Sequence, residues 1–223
     1  MKFVEYPDRE LMMFDLADHL ASELATALRQ HERASLCVPG GTTPGPVFDV
    51  LSGVKLDWDR VSVLLSDERW VPESHPRSNG RLLRNRLLTG RAAAARFVPL
   101  YAEAPEPEPA LAALSAAIEA CLPISVLLLG MGADMHTASL FPGADRLAEA
   151  LAPDAPVLMP MRSPGAPEPR VTLTAPVLAG AMCCHILITG AEKRAALERA
   201  QGLPETEAPV RAVLANAVVH WAE

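Results

Sequence analysis

The stretch "VLLLGMGADMHTASLFPG", residues 126–143, decides how the rest of the chain is read. Val126 to Leu129 are apolar at four consecutive positions instead of alternating, the pattern of a strand covered on both faces, as in a parallel sheet. The run stops at Gly130-Met131-Gly132, and a carboxylate, Asp134, and an imidazole, His136, follow at once. Open α/β sheets gather their reactive groups at the carboxyl ends of strands. An acid and a base raised on a glycine turn at such an end are therefore candidates for chemistry.

Outward from this stretch the same unit recurs. "ASLCVPGG" is a short strand ending in a Pro-Gly-Gly turn, and "TPGPVFDVLSG" opens a helix with Gly53 near its end. "RVSVLLSDER" is a strand with charge at its carboxyl end, and "SNGRLLRNRLL" a helix. "RVTLTAPVLAGA" reads as a strand and a short helix, "CCHILITGAEKRAALERA" as a strand, a glycine turn and a strong helix. Residues 8–32 carry Leu11, Phe14, Leu20, Leu24 and Leu28 at helical spacing, which predicts an amphipathic helix with those residues on its inner face. "AEAPEPEPAL" is a solvated link into a helix over 109–121. A domain boundary could fall there, but the pattern after it repeats the pattern before it. Strands alternating with helices predict an α/β fold, a Rossmann-like, mostly parallel sheet with helices on both faces, built as one domain over 1–223.

Half of the 223 residues are apolar and 21% are charged, with a net charge of -7. That acidity argues against nucleic acid as a partner, and an anionic ligand would need a local cluster of basic groups. No run of eighteen uncharged apolar residues predicts a membrane span, and the amino-terminal segment lacks the shape of a signal peptide. Cys37, Cys121, Cys183 and Cys184 show no C-x-x-C spacing, so no metal cluster is expected, and a reducing cytoplasm suits them.

Four predicted strands end in loops of this kind: Gly40-Gly41-Thr42-Thr43, Ser66-Asp67-Glu68-Arg69, Gly130 to His136, and Gly190 to Lys193. The first offers unhindered backbone N–H groups and two hydroxyls before a helix, a turn that can cradle phosphate; it can equally be a plain turn with a threonine cap. It is neither a Walker loop nor a G-x-G-x-x-G fingerprint. Lys193 opens a helix against the helix dipole, a local penalty that a nearby anion would relieve. Arg170 can grip phosphate in bidentate fashion. Asp67, Glu68 and Arg69 either pair internally or present a carboxylate and a guanidinium to a ligand. His75 is expected to be exposed. His136 can exchange a proton near neutral pH. The remaining histidines, His19, His31, His185 and His220, are expected to be structural or solvated.

Taken in order, "PGGTTP", "SDERWVPESHPRSN", "LLLGMGADMHTASLFPG", "PRVTLT" and "GAEKRAAL" resemble the 6-phosphogluconolactonase family, within the wider glucosamine-6-phosphate isomerase-like, or NagB-like, group. The third motif is long and specific; the others gain weight from their order. The resemblance implies hydrolysis of 6-phospho-D-glucono-1,5-lactone to 6-phosphogluconate in the oxidative pentose phosphate pathway, without a cofactor or metal, by a monomer or small homo-oligomer. It implies that Gly41, Thr42, Thr43, Arg170 and Lys193 hold the phosphate, with Arg69 assisting, and that His136 is the general base on water. Asp134 or Asp67 would orient the imidazole or the sugar. Met135 departs from the family, which usually has glycine at that position; a positive φ there would strain methionine. Two rivals share parts of this picture. One is a glucosamine-6-phosphate deaminase-like isomerase, in which Asp67 would be the base; the other is a sugar-phosphate-sensing domain without catalysis. A nicotinamide-dinucleotide site lacks its glycine fingerprint.

Overall fold

The computed structural model describes residues 1–163 and 167–223. Its strands are β1 (Lys2–Glu5), β2 (Ala34–Val38), β3 (Val61–Leu65), β4 (Asp67–Arg69), β5 (Arg96–Val98), β6 (Val126–Gly130), β7 (Leu158–Met161), β8 (Arg170–Leu173), β9 (Cys183–Thr189) and β10 (Ala217–Ala222). Its α-helices are α1 (Arg9–Gln30), α2 (Gly45–Gly53), α3 (Asn79–Arg86), α4 (Leu111–Glu119), α5 (Leu147–Leu151), α6 (Ala175–Ala179), α7 (Gly190–Ala200) and α8 (Arg211–Leu214).

Seven strands form one sheet in the order β1-β10-β9-β6-β2-β3-β5, and every pair in it is parallel. Every residue of β2 and β3 is buried, as are Val126 to Leu129 of β6, so these strands are covered on both faces as their unbroken apolar runs require. β2 leads outward through β3 to β5, whereas β6 leads the other way through β9 to β10. The strand order therefore reverses between β2 and β6. At such a reversal the connections leave in opposite directions and open a crevice beyond the carboxyl ends. The Pro39-Gly40-Gly41 turn and the Gly130–His136 turn issue from those two ends.

A second, three-stranded antiparallel sheet, β4-β8-β7, is absent from the sequence reading. It hangs from the main sheet through Ser66, whose N–H donates to Val38 and whose carbonyl accepts from Leu173. "SDER" is thus not the tail of β3: the chain steps at Ser66 into the other sheet. The strands β1, β5, β7 and β10 also fall where the pattern predicts none. Three of them lie at sheet edges, and β10 interrupts its apolar run with His220.

Helix α1 is capped by Asp8, whose side chain accepts the Leu11 N–H at 2.8 Å. Its inner face packs on α2, β2 and β10. That face is Met12, Leu16, Leu20 and Leu24, all fully buried, with Leu28 beside them. Leu11 and Phe14, expected on the same face, are 50% and 53% exposed, because the stripe begins at Met12 and leaves both at its outer margin. His75, expected in solvent, is half-buried, and its Nδ1 accepts the Arg77 N–H. The proline-rich approach to Arg170 includes residues 164–166, which lie outside the described residues.

The two faces of α1 should separate in unfolding experiments. Leu20→Ala is expected to cost about 2–5 kcal/mol, whereas Leu11→Ala changes stability by no more than about 0.5 kcal/mol. Equal shifts in urea midpoint would contradict this orientation.

Candidate active site

One cavity is lined by Gly40, Gly41 and Thr43 after β2, Asp67 and Arg69 of β4, Asn79 of α3, Gly130 to Gly132 and His136 after β6, Arg170 of β8, and Lys193 of α7. It lies at the reversal between β2 and β6. Of the residues singled out from sequence, Gly41, Thr43, Asp67, Arg69, His136, Arg170 and Lys193 converge here. Thr42 does not: it lines a neighbouring groove with Met13 and Phe14 of α1, and only Thr43 borders both.

The β6 turn is built around the Asp134–His136 pair. Asp134 Oδ1 lies 2.5 Å from His136 Nδ1 and also accepts the His136 N–H at 3.2 Å. That contact, before burial is counted, holds the Asp134 carboxyl below its ordinary range. With Nδ1–H donating to a carboxylate, Nε2 keeps its lone pair. The turn closes through the Gly132 N–H to the His136 carbonyl and the Met135 N–H to the Gly132 carbonyl, both 3.0 Å. A Cβ on Gly132 would stand 2.2 Å from His136 Nδ1, so only glycine admits the pair this close to the backbone. Met135 has φ of 66°, in the left-handed region, so the departure from glycine does fall on a strained residue. Its carbonyl is engaged by the Val210 N–H at 3.1 Å.

Asp67 takes a different role from Asp134. Its Oδ2 accepts the Ser139 hydroxyl at 2.5 Å and lies 3.5 Å from Arg170 Nη1, while Oδ1 accepts from Ser66. It ties the strand carrying Arg170 to the segment beyond His136. Phe141 links the same parts: its ring centroid is 4.4 Å from that of His136, and Arg170 Cζ lies 5.1 Å from the ring centre. Imidazole and guanidinium are therefore no farther apart than those two separations combined.

Three cations also border the cavity. Arg69 and Arg170 face each other as a pair across the β4–β8 ladder, a placement in which like charges destabilise one another. Each has a buried Nε with no hydrogen-bond partner among the described residues. Burial pulls Arg170 below the ordinary guanidinium range; Asp67 opposes this and Arg69 adds to it. Lys193 stands in the first turn of α7, which neither Thr189 nor any other side chain caps, and makes no ion pair among the described residues. Helix α2 also starts without a side-chain cap, so the threonine-cap alternative for the first loop does not hold. Two unfilled helix starts and three cations around one cavity make a field suited to a dianion, despite the net charge of -7.

Asn79, not singled out from sequence, and Glu68, named there only beside Asp67 and Arg69, organise these cations. Asn79, 2% exposed, accepts from Arg69 Nη1 through Oδ1 and donates through Nδ2 to the Asp67 carbonyl, both at 2.9 Å. It also abuts the glycine turn, where a Cβ on Gly40 would come within 2.0 Å of its Oδ1. Glu68 is buried and accepts the N–H groups of Arg69, Asn79 and Gly80 and the Ser78 hydroxyl. Burial raises its carboxyl and those backbone donors lower it, leaving it above its usual value. Glu68 therefore caps α3 and fixes Asn79, which in turn fixes Arg69. The Ser78-Asn79 pair at a helix start was the available sign in the sequence. Among the described residues, no group of three or more His, Cys, Asp or Glu side chains is arranged to hold a metal ion.

A sheet reversed between β2 and β6, with an acid–imidazole pair and three cations around one cavity, defines an α/β protein with a polar, cationic cavity at the reversal. The chain belongs to the family described as glucosamine-6-phosphate isomerases/6-phosphogluconolactonase, whose model matches residues 7–221. It is 44% identical over 211 residues to a 6-phosphogluconolactonase of Mesorhizobium japonicum, covering 94% of this chain and 88% of that one. It is 45% identical over 216 residues to a 6-phosphogluconolactonase of Rhizobium meliloti, with 93% and 92% covered. Among solved structures, a 6-phosphogluconolactonase from Shewanella baltica superposes with a TM-score of 0.92 at 33% identity, covering 100% of this chain and 98% of that one. A monomeric glucosamine-6-phosphate deaminase shares the fold at 15% identity, with a TM-score of 0.80 and coverage of 100% and 98%.

Two substitutions test this construction. Gly40→Ala should destabilise the protein by displacing Asn79, and Gly40→Ala combined with Asn79→Ala should be little worse than Asn79→Ala alone; additive losses would contradict the contact. Met135→Gly should retain structure and gain up to about 1 kcal/mol by relieving the left-handed methionine, which urea unfolding measures.

Proposed function

We propose that the chain hydrolyses 6-phospho-D-glucono-1,5-lactone to 6-phosphogluconate, the step that opens the lactone in the oxidative pentose phosphate pathway. The observation that carries the reading is the cross-strand pair Arg69–Arg170, each with an unpartnered Nε, in one cavity with Lys193 and with His136, which Asp134 holds. Charge opposed to charge on one ladder is tolerable when a phosphate dianion lies between. The relatives named above, alike over nearly the whole chain, support the same substrate. The four cysteines are free thiols, which suits a cytoplasmic setting.

In this reading Arg170, Lys193 and Arg69 grip the phosphate, with the backbone of Gly41 and the hydroxyl of Thr43 at the start of α2. Thr42 borders the adjoining groove and is left out of that grip. The lactone ring then extends toward His136. Nε2 of His136 removes a proton from water as its oxygen attacks C1, and Asp134 stabilises the imidazolium. The tetrahedral oxyanion is held by backbone N–H groups of the glycine turns. Its collapse breaks the bond from C1 to the ring oxygen, which takes the proton back from His136. Asp67 orients Arg170 and Ser139 and does not touch the base. A six-membered lactone already opens in water, so general-base action worth about 10²–10⁴-fold, with positioning, is sufficient. The isomerase alternative requires Asp67 as a base, yet its carboxylate is already engaged by Ser139 and Arg170.

Acid release from freshly made lactone, corrected for spontaneous opening, tests the activity; ammonia release from glucosamine 6-phosphate instead would favour the isomerase. His136→Ala should lower kcat by about 10²–10⁴-fold with KM little changed. Arg170→Ala and Lys193→Ala should chiefly raise KM, and an unaltered KM in both would refute the phosphate site.

A further inference from the structure

Away from this cavity, five titratable side chains form a linear series of contacts between α1 and the edge of the sheet. Tyr6 Oη lies 2.7 Å from Asp15 Oδ2 and 2.9 Å from His220 Nδ1. His220 Nε2 lies 2.9 Å from His185 Nδ1, and His185 Nε2 lies 2.8 Å from Glu23 Oε2. None of the five lines the active-site cavity. Tyr6, His185 and His220 are 9%, 2% and 1% exposed, so water does not readily replace a missing partner.

Four hydrogen bonds need four hydrogens. Near neutral pH the ordinary forms of these groups supply three: one from the tyrosine hydroxyl and one from each neutral imidazole, with none from the carboxylates. Reversing the direction of donation does not help. If Tyr6 donates to Asp15, the shortfall falls between His185 and Glu23; if Tyr6 donates to His220, it falls between Tyr6 and Asp15.

We infer that the folded protein holds one additional proton in the Asp15–Tyr6–His220–His185–Glu23 chain near neutrality, and that this proton is a structural element of the fold. The groups around it set where it resides. Burial, with His185 and His19 beside it, pushes His220 down to about 3, so the proton is not carried there. His19 meets the His220 ring edge-on at 6.2 Å, and Lys2 of β1 adds positive charge against it. His19 Nδ1 also approaches Asp15 Oδ2, at 3.4 Å. The Cys183 thiol beside Glu23 is raised by burial first and by that carboxylate second, and Cys184 is pushed up to about 12 by burial, so neither is ionised near neutrality.

The sign follows by comparing states. Above about pH 6.5 the unfolded histidines are largely neutral, so the folded state binds one proton more and stability falls as pH rises. That amounts to about tenfold in the unfolding constant per pH unit until the proton dissociates. Below about pH 6.5 both unfolded histidines take up protons, while the folded chain gains none at His220 until pH nears 3. Stability therefore also falls on acidification.

Urea unfolding between pH 6.5 and 9 at constant ionic strength tests this. Glu23→Gln supplies the missing hydrogen from its amide, so it should fold and lose the alkaline slope. Tyr6→Phe removes two contacts and one hydrogen, leaving two bonds and two hydrogens, and should lose it too. Glu10→Gln, exposed on the same helix, should keep the wild-type slope. A flat wild-type profile, or a Glu23→Gln slope equal to wild type, overturns the inference. Carbon-13 carboxyl and nitrogen-15 imidazole shifts of the wild type at pH 7.5 give a reading independent of any variant's folding. Both carboxylates ionised with one bare nitrogen on each ring would overturn it; an extra proton on either end supports it.

Discussion

β2 and β6 are hydrogen-bonded neighbours that lead their successors in opposite directions. That single reversal decides where everything reactive can be. Here the connections part and leave two loops facing one opening. The loop after β2 brings unhindered backbone amides, and the loop after β6 brings a carboxylate–imidazole pair. Both loops depend on glycines for contact reasons specific to their place. Gly40 makes room for Asn79, and Gly132 makes room for His136.

The small antiparallel sheet supplies what the large one lacks. A parallel sheet offers amides and helix starts at its carboxyl ends, but its strands are too buried to present long cations cheaply. By stepping at Ser66 into a second ladder, the chain sets Arg69 and Arg170 opposite each other at the rim of the opening. Two buried carboxylates steady them by different routes. Asp67 approaches Arg170 directly, and Glu68 acts through Asn79 on Arg69. The net acidity of the protein is thus locally overturned at the cavity.

The main parallel sheet and the gathering of polar residues at strand ends were legible because each rests on local pattern. Val126 to Leu129 and the strands around Leu36 and Val63 have the unbroken apolar runs that burial on both faces demands. The second sheet was not legible: Asp67 to Arg69 is three polar residues, and nothing in their periodicity separates a strand from a loop. The inner face of α1 was read correctly at Leu20, Leu24 and Leu28 and misplaced only in its first turns, because Leu11 and Phe14 satisfy the spacing as well as Met12 and Leu16 do. Seven of the residues singled out from sequence border one cavity, but which of them touch one another was not legible. Whether Asp134 or Asp67 contacts His136 depends on a turn whose tightness only the backbone geometry reveals. Ser139 and Phe141 act by linking segments distant in sequence, a role with no local signature, and the helix start at Ser78-Asn79 marks a cap without revealing that Asn79 reaches Arg69.

Among the described residues β1 pairs only with β10, Lys2 against Val218 and Glu5 against Trp221. No other strand pair in the sheet joins residues so remote along the chain, and β1 itself is largely exposed. Loop closure over such a span is entropically demanding and its reward in buried surface is small. The outermost strand should consequently zip on late in folding and fray early, exchanging its amide hydrogens well before the interior strands do. The tyrosine that follows it would then act as the latch between this loosely held margin and the rigid body of the sheet.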